Sequence, residues 1–401
     1  MSVEFRRIPL TTRFLDPRRG FEPVEVTHEV RFDPLTGAVC RIAHFPLQPP
    51  GTSEDGKDGG GGAASDPSPP CPFCRPWVHT VTPRFLPDQH PAGRLERGDC
   101  VLVPNLSPYD QHSAVVAVGS RHRVAPTALR PADLADALLL VGAFLETLPA
   151  GQRHGAVGWN YGPAAGASLD HPHLQCVAGP RLPHGLAVEV AAETHYQERC
   201  GGSFWGDLVA AEAYGPRWLG RRGPWSALVA FAPRGLFPDV LFVAPGLADL
   251  LDALPPAVEA LAILVADVSA ALAKMGVGAW NLTVLPTLAA GQPPGALRAR
   301  LVPRLHPVPG TASSDMTWIQ LGLGEAVTAA WPERWAEQLR NLTWSLADTP
   351  ADHTPPVGET TQTAHPAKET HRTPSSLSPG HGCARPRVSS KAGSYDQGRF
   401  R

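Results

Sequence analysis

The chain lacks an excess of either charge. Its 401 residues carry 35 lysines and arginines against 37 aspartates and glutamates, a formal net charge of -2. A broad basic field of the kind that grips a nucleic-acid backbone is therefore missing, and no polymeric nucleic acid partner is expected. The opening M-S-V-E-F-R-R-I-P-L has no apolar signal core, and no uninterrupted apolar run approaches the length needed to cross a bilayer. A cytoplasmic protein with no membrane partner is the expectation. Cysteine is sparse: seven thiols scattered over this length are no secreted disulfide framework, and the odd count suits reduced thiols with room for one metal site.

Residues 51–70, G-T-S-E-D-G-K-D-G-G-G-G-A-A-S-D-P-S-P-P, cannot bury apolar surface and read as a flexible insertion. From 349 to 401 the composition turns to Pro, Thr, Ser, His and Gly with almost no periodic apolar residues, which predicts a disordered tail. His365, His371, His381 and Cys383 fall in it and read as solvated rather than ligating.

Between these segments two helices are legible. After Pro131, Leu134, Leu138, Val141, Leu145 and Leu148 recur at helical spacing; after Pro255, so do Val258, Leu261, Val265, Val268 and Leu272, with Gly276 closing the second helix. Each is followed by a similar stretch, G-A-V-G-W-N at 155–160 and G-V-G-A-W-N at 276–281, and preceded by two β-rich runs. The pattern predicts a tandem repeat of a strand–strand–helix–strand–strand unit, each an antiparallel sheet backed by its helix, hence an α+β fold. The expected division is an N-terminal unit over 1–185, a C-terminal unit over 186–348 and the tail. In the second unit L-R-A-R-L-V-P-R-L at 297–305 occupies the place of D-H-P-H-L-Q, with arginine and valine where the first has histidine and glutamine, so only one unit can run histidine chemistry.

That first-unit stretch, N-Y-G-P-A-A-G-A-S-L-D-H-P-H-L-Q at 160–175, sets a small-residue run before His171, His173 and Gln175, which alternate with Pro172 and Leu174 and would share one face of a strand. The bland reading is a half-exposed strand carrying two chance histidines; the asparagine, glycines and serine ahead of it would then be coincidence as well. C-P-F-C at 71–74 suits one edge of a tetrahedral metal site, but alone it reads equally as a redox pair, an incomplete zinc site or two buried thiols. With no second Cys-x-x-Cys, any further ligands must be histidine or carboxylate. His171 and His122 are candidates, although with 16 histidines present any single one is more often a surface or core residue.

Taken in order, F-D-P-L-T-G, C-P-F-C, V-P-N-L-S-P-Y, the S-R-H strand end, N-x-G-x-x-x-G-x-S-x-x-H-P-H-x-Q and W-P-E-R-W-A-E-Q-L-R resemble the galactose-1-phosphate uridylyltransferase family of the histidine-triad superfamily over about residues 30–341. The resemblance implies two histidine-triad-like units, F-D-P-L-T-G as an opening strand, and one structural zinc ion per chain on Cys71, Cys74, His122 and His171. It implies His173 as the nucleophile, with Gln175 assisting, and Asn105, Asn160, Gly162, Gly166, Ser168 and Gln175 around the nucleotide and its phosphates. The implied activity moves a nucleoside monophosphate, UMP by family precedent, between a nucleotide sugar and a hexose 1-phosphate through a nucleotidyl-histidine, in a homodimer. Glutamine at 175, where histidine-triad hydrolases carry a titratable histidine, favours transfer over hydrolysis.

Three departures bear on substrate. The family's arginine-rich phosphate-binding run is replaced by C-R-I-A-H-F-P-L-Q-P-P, which keeps Arg41; Leu174 follows the nucleophile where glycine is usual; and Arg298 and Arg300 stand where some members hold a second metal, so no second metal is expected. The alternatives are a phosphorylase of a nucleotide sugar or dinucleoside polyphosphate with orthophosphate as acceptor, and a non-catalytic zinc-stabilised nucleotide-binding protein.

Overall fold

The opening β-rich sequence forms a long antiparallel hairpin, β1 (Arg7–Asp16) and β2 (Glu22–Phe32), followed by β3 (Val39–Ile42). F-D-P-L-T-G is the end of β2 and the turn after it, not a strand. Asp33 Oδ1 accepts the amides of Leu35 and Thr36, which bends the chain at the point where Pro34 cannot donate to a ladder. This computed structural model describes residues 3–42, 71–287, 295–307 and 313–343; the segment 51–70 and the tail from 349 lie outside the described residues.

A short helix α1 (Trp77–Thr80) follows C-P-F-C. Then come β4 (Leu95–Arg97), β5 (Cys100–Pro104), β6 (His112–Ala117), helix α2 (Pro131–Thr147), β7 (His154–Tyr161) and β8 (His173–Gly179). Helices α3 (His184–Cys200) and α4 (Phe204–Glu212), which no periodicity had suggested, lead into β9 (Trp218–Arg222), β10 (Trp225–Val229) and β11 (Val240–Ala244). Helix α5 (Pro255–Lys274), β12 (Ala279–Thr287), β13 (Leu297–Arg304), β14 (Ala326–Thr328) and α6 (Pro332–Arg340) complete the described chain. The fold is α+β. Its sheets are antiparallel except where β14 runs parallel to β3.

Ten strands join in one sheet in the order β4-β5-β6-β8-β7-β12-β13-β11-β10-β9. The order β5-β6-β8-β7 on one side is mirrored by β10-β11-β13-β12 on the other, with α2 and α5 at matching places in the chain. The two sheets are thus not separate layers: β7 pairs with β12 edge to edge, and both helices lie on the same face. Both helices begin on a proline, whose missing N–H costs nothing in the first turn. Gly276 follows α5 with φ +83°, a left-handed conformation suited to ending a helix. By length and composition α5 could cross a membrane, although Glu259 and Asp267 interrupt its apolar run. Here Val258, Leu261, Val265, Val268 and Leu272 are instead buried in the core between sheet and helices.

The other face differs between the halves. Tyr196 of α3 and Phe204, Trp205 and Leu208 of α4 pack on Leu228, Leu241 and Val243, so every residue of β10 and β11 is buried. Among the described residues of the first half, only a small cluster of Phe73, Val78, Val101, Val103 and Ala117 covers that face. Strand β7 therefore alternates, burying Val157, Trp159 and Tyr161 toward the helices while Ala156, Gly158 and Asn160 remain half-buried on the open side. The register also shows what stands in the second half at the corresponding points. Gly158 lies opposite Gln175 and Ala279 opposite Arg304, which puts Arg304 in glutamine's place and Val302 in that of His173.

Buried ion pairs tie the outer elements to this frame. Arg31, fully buried on β2, donates to Glu29 at 2.9 Å and to both Glu333 carboxylate oxygens at 2.8 and 3.1 Å, and Arg217 reaches Glu333 at 2.8 Å. Burial alone would raise the Glu333 pKa, but its hydrogen bonds and attraction to Arg31 and Arg217 hold it below the usual carboxylate range.

Two outcomes test this frame. Trp280→Ala, removing a fully buried ring stacked on Tyr161 at 4.7 Å, lowers unfolding free energy in denaturant titration by about 3–5 kcal/mol. A depressed folded-state pKa gives stability that is present above the unfolded value and lost as pH falls. The stability gap between wild type and Glu333→Gln therefore stands at neutral pH and closes as pH drops below the ordinary 4.5.

Candidate metal centre and adjoining histidine

C-P-F-C closes as a tight turn, the Cys74 amide donating to the Cys71 carbonyl at 3.1 Å and the Cys74 carbonyl accepting from Val78 at the start of α1. The turn faces the end of β6 and the residues just before β8. Cys71, Cys74, His122 and His171 come together there, their ligand atoms all within 4.8 Å of one another. Cys74 Sγ is 3.4 Å from His122 Nδ1 and 3.6 Å from His171 Nδ1. Thiolate bonds of about 2.3 Å and imidazole bonds of about 2.0–2.1 Å around a tetrahedron place sulfur and nitrogen about 3.5 Å apart. The donor set therefore fits a metal ion held by four protein ligands.

The surrounding bonds favour that use. His171 is fully buried, and its Nε2 donates to the Gly119 carbonyl at 3.2 Å, which leaves Nδ1 unprotonated and turned to the thiols. Burial lowers the His171 pKa against the opposing pull of that carbonyl, keeping the ring neutral as a ligand must be. The Cys74 thiol is pushed up by burial and by neighbouring Cys71, the repulsion a cation would relieve. His122 lies in the exposed loop after β6, its ring 6.2 Å from that of His171.

His173 is the first residue of β8. Its Nδ1 lies 2.9 Å from the His171 carbonyl, and since a carbonyl only accepts, Nδ1 carries the proton and Nε2 the lone pair. Burial lowers its pKa, outweighing that hydrogen bond, so the ring is neutral near pH 7. The Phe73 ring stands 5.5 Å away, a neighbour that C-P-F-C held in plain view. Strand alternation puts Gln175 on the same face as His173, half-buried, while Leu174 and Cys176 enter the helix-side core. Leu174 thus points away from the site, and its presence in place of glycine adds no bulk beside His173.

Asn160 lies on the open face, one strand across from Gln175. From it the chain turns through Gly162, φ +80°, to Gly166, φ +84°. A Cβ at Gly162 would stand 2.9 Å from that of Ala279, so glycine there admits the second half of the sheet; at Gly166 the left-handed backbone itself is the reason. Ser168 is exposed just beyond, and a cavity of about 340 Å³ lined by Asn160, Gly162, Asp170 and His171 opens beside the loop. Asn105 follows β5 two side-chain rows from His173, its Oδ1 accepting the Ser107 amide at 2.9 Å, and lines a different cavity with Phe85 and Phe144. Arg41 is tied to Glu325 at 2.6 Å; Arg298 is buried against Glu189 and Glu193, and Arg300 pairs with Asp239.

Sequence reasoning missed Asn281, Arg304 and Asp315. Asn281 Nδ2 donates to Asn160 Oδ1, and Arg304 joins Asn281 to Asp315. The duplicated Trp-Asn pair at 159–160 and 280–281 was the available signal.

Fold and site together define an α+β protein with a Cys₂His₂ centre beside a buried neutral histidine. No family model matches the chain. An uncharacterized protein of Archaeoglobus fulgidus is 27% identical over 237 residues, 59% of this chain and 68% of that one. Among solved structures, an ADP-glucose phosphorylase from Arabidopsis thaliana with bound ADP-glucose superposes with TM-score 0.61 at 17% identity, covering 79% of this chain and all of that one. A GalT-like protein from the same plant gives 0.59 at 18%, over 79% of this chain and 99% of that one. A uridylyltransferase gives 0.56 at 19%, over 78% and 97%. The fold is that of the galactose-1-phosphate uridylyltransferase-like proteins, as the motifs implied.

Metal analysis of the purified chain is expected to return one tightly bound ion. Cys74→Ser loses it and melts lower by on the order of 5–10 °C; two ions, or none, would contradict the ligand set.

Proposed function

We propose that the protein is a nucleotidyltransferase working through a covalent nucleotidyl-His173. The observation that carries this reading is the fixed tautomer of His173: Nδ1–H is spent on the His171 carbonyl, and the ring is held neutral with its Nε2 lone pair free. In the first half-reaction Nε2 attacks the α-phosphorus of a nucleotide sugar. The N–P bond forms, the P–O bond to the sugar phosphate breaks, and the leaving phosphate takes the bonding electrons. In the second, a phosphate oxygen of the acceptor attacks the same phosphorus and the imidazole leaves.

Asn160, the 162–168 loop with Ser168, and Gln175 surround this face and supply neutral donors to non-bridging oxygens; Asn105, which lines a separate cavity, has only the motif resemblance to support a nucleoside contact. Gln175 donates without titrating, which suits return of the nucleotide to a phosphate acceptor rather than to water. Zinc is the ion assigned to Cys71, Cys74, His122 and His171. With four protein ligands it supplies rigidity rather than an activated water, and by fixing His171 it fixes the carbonyl that orients His173. We assign the two halves, 1–185 and 186–348, to a repeated histidine-triad-like unit, in which Val302 and Arg304 leave the second copy without a nucleophile.

A hexose 1-phosphate is the acceptor favoured by the motifs. Orthophosphate is the second reading: the covalent step is the same, and a solved ADP-glucose phosphorylase shares the fold. Incubation with α-³²P-labelled UDP-glucose or ADP-glucose is expected to leave acid-labile label on the protein, discharged by galactose 1-phosphate in the first reading and by phosphate in the second. His173→Gly keeps fold and metal and loses labelling by at least about 1,000-fold. Absence of label from either nucleotide sugar counts against both readings and favours a non-catalytic binding protein; undiminished labelling of the variant removes His173 from its role.

A further inference from the structure

The second half carries Val302 in the place of His173, yet one of its side chains reaches into the first-half site. Asn281 faces Asn160 directly across the β7–β12 pairing. Its Nδ2 donates to Asn160 Oδ1 at 2.8 Å and to the Ala165 carbonyl, inside the glycine-flanked loop, at 2.9 Å. The other end of the same carboxamide is also committed. Arg304 Nη1 donates to Asn281 Oδ1 at 2.6 Å, and Arg304 is held in turn by Asp315, Nε and Nη2 each lying 2.7 Å from a carboxylate oxygen. Asp315 is buried.

This chain of bonds can run in only one direction. A guanidinium has no acceptor and a carboxylate no donor, whereas a carboxamide has one end of each kind. Asp315 fixes which way Arg304 donates, Arg304 takes the oxygen of Asn281, and Asn281 must then offer its hydrogens to Asn160. Both hydrogens of Asn281 are used, one on Asn160 and one on Ala165. With its own oxygen occupied, Asn160 has only its Nδ2 hydrogens to present, and among the described residues these have no partner.

We propose that Asn281 is a positioning residue for the first-half site: it sets the carboxamide of Asn160 with its two N–H groups toward the phosphate-binding face and steadies the 162–168 loop through Ala165. The sign of the exposed end matters. An anionic phosphate meets partial positive charge in this orientation and a carbonyl oxygen in the flipped one. The inference rests on the nucleotidyl-transfer reading of His173, and it gives the degenerate half a chemical task across the sheet joint.

Asn281→Asp tests it, because aspartate keeps the size of the side chain and the acceptor for Arg304 but removes the donor. Asn160 can then satisfy its neighbour only by turning Nδ2 inward. In ligand-free protein, the Asn160 side-chain amide hydrogens, followed by ¹⁵N NMR, exchange rapidly with water in the wild type and become protected in the variant. Labelling of His173 by α-³²P-UDP-glucose or ADP-glucose slows by about 100-fold, and on an Asn160→Ala background the same substitution adds nothing. Unchanged exchange at Asn160, or an equal loss of labelling on the Asn160→Ala background, overturns the proposal. If the wild type takes no label, the functional reading fails and the exchange measurement still decides the orientation.

Discussion

The pairing of β7 with β12 is the constraint on which the rest depends. It fuses two half-sheets into one and lets α2 and α5 share a single core. Directly beneath it Trp159, Tyr161 and Trp280 interlock, Tyr161 and Trp280 with rings parallel and Trp159 edge-on to both. Above it Asn160 meets Asn281. The repeated Trp-Asn pair therefore does one thing on each face: tryptophan welds the halves from inside, and asparagine couples them on the side where the chemistry is proposed.

Unequal cover makes one half available for that chemistry. Helices α3 and α4 seal the second half, and with it arginines 298 and 300 are drawn into pairs with Glu189, Glu193 and Asp239. Buried charges of this kind are tolerated only when paired, and once paired they leave neither a nucleophile nor an open metal position. Among the described residues the first half has no such covering, so its polar row of His173, Gln175 and Asn160 lies on the more open face.

In both histidines the orientation is set by a backbone carbonyl. Gly119 receives the proton of one ring and His171 that of the other, and because carbonyls cannot donate, each ring is left with a defined unprotonated nitrogen. One turns to the thiols and the other to the open face. The two roles are coupled through the main chain, since the group that orients His173 belongs to the residue that completes the Cys₂His₂ cluster.

Pattern alone was enough for the parts of the molecule governed by short-range rules. The 3.6-residue spacing after Pro131 and Pro255 located both core helices, and the alternation through His173 and Gln175 assigned their shared face; that Cys71, Cys74, His122 and His171 form one set came from the family resemblance and not from spacing. Helix α3 was illegible because its apolar residues are interleaved with Glu189 and Glu193, whose burial is made tolerable by the distant Arg298 and, for Glu189, by Arg234 as well. The F-D-P-L-T-G stretch turned out a turn because Asp33 caps it locally. What the linear order could not decide was which face stays open, that Leu174 points away from the site, and that Asn281 and Arg304 reach across to Asn160. Those follow from edge-to-edge pairing of distant strands, and a hydrogen bond between residues 121 positions apart has no periodicity by which a sequence could announce it.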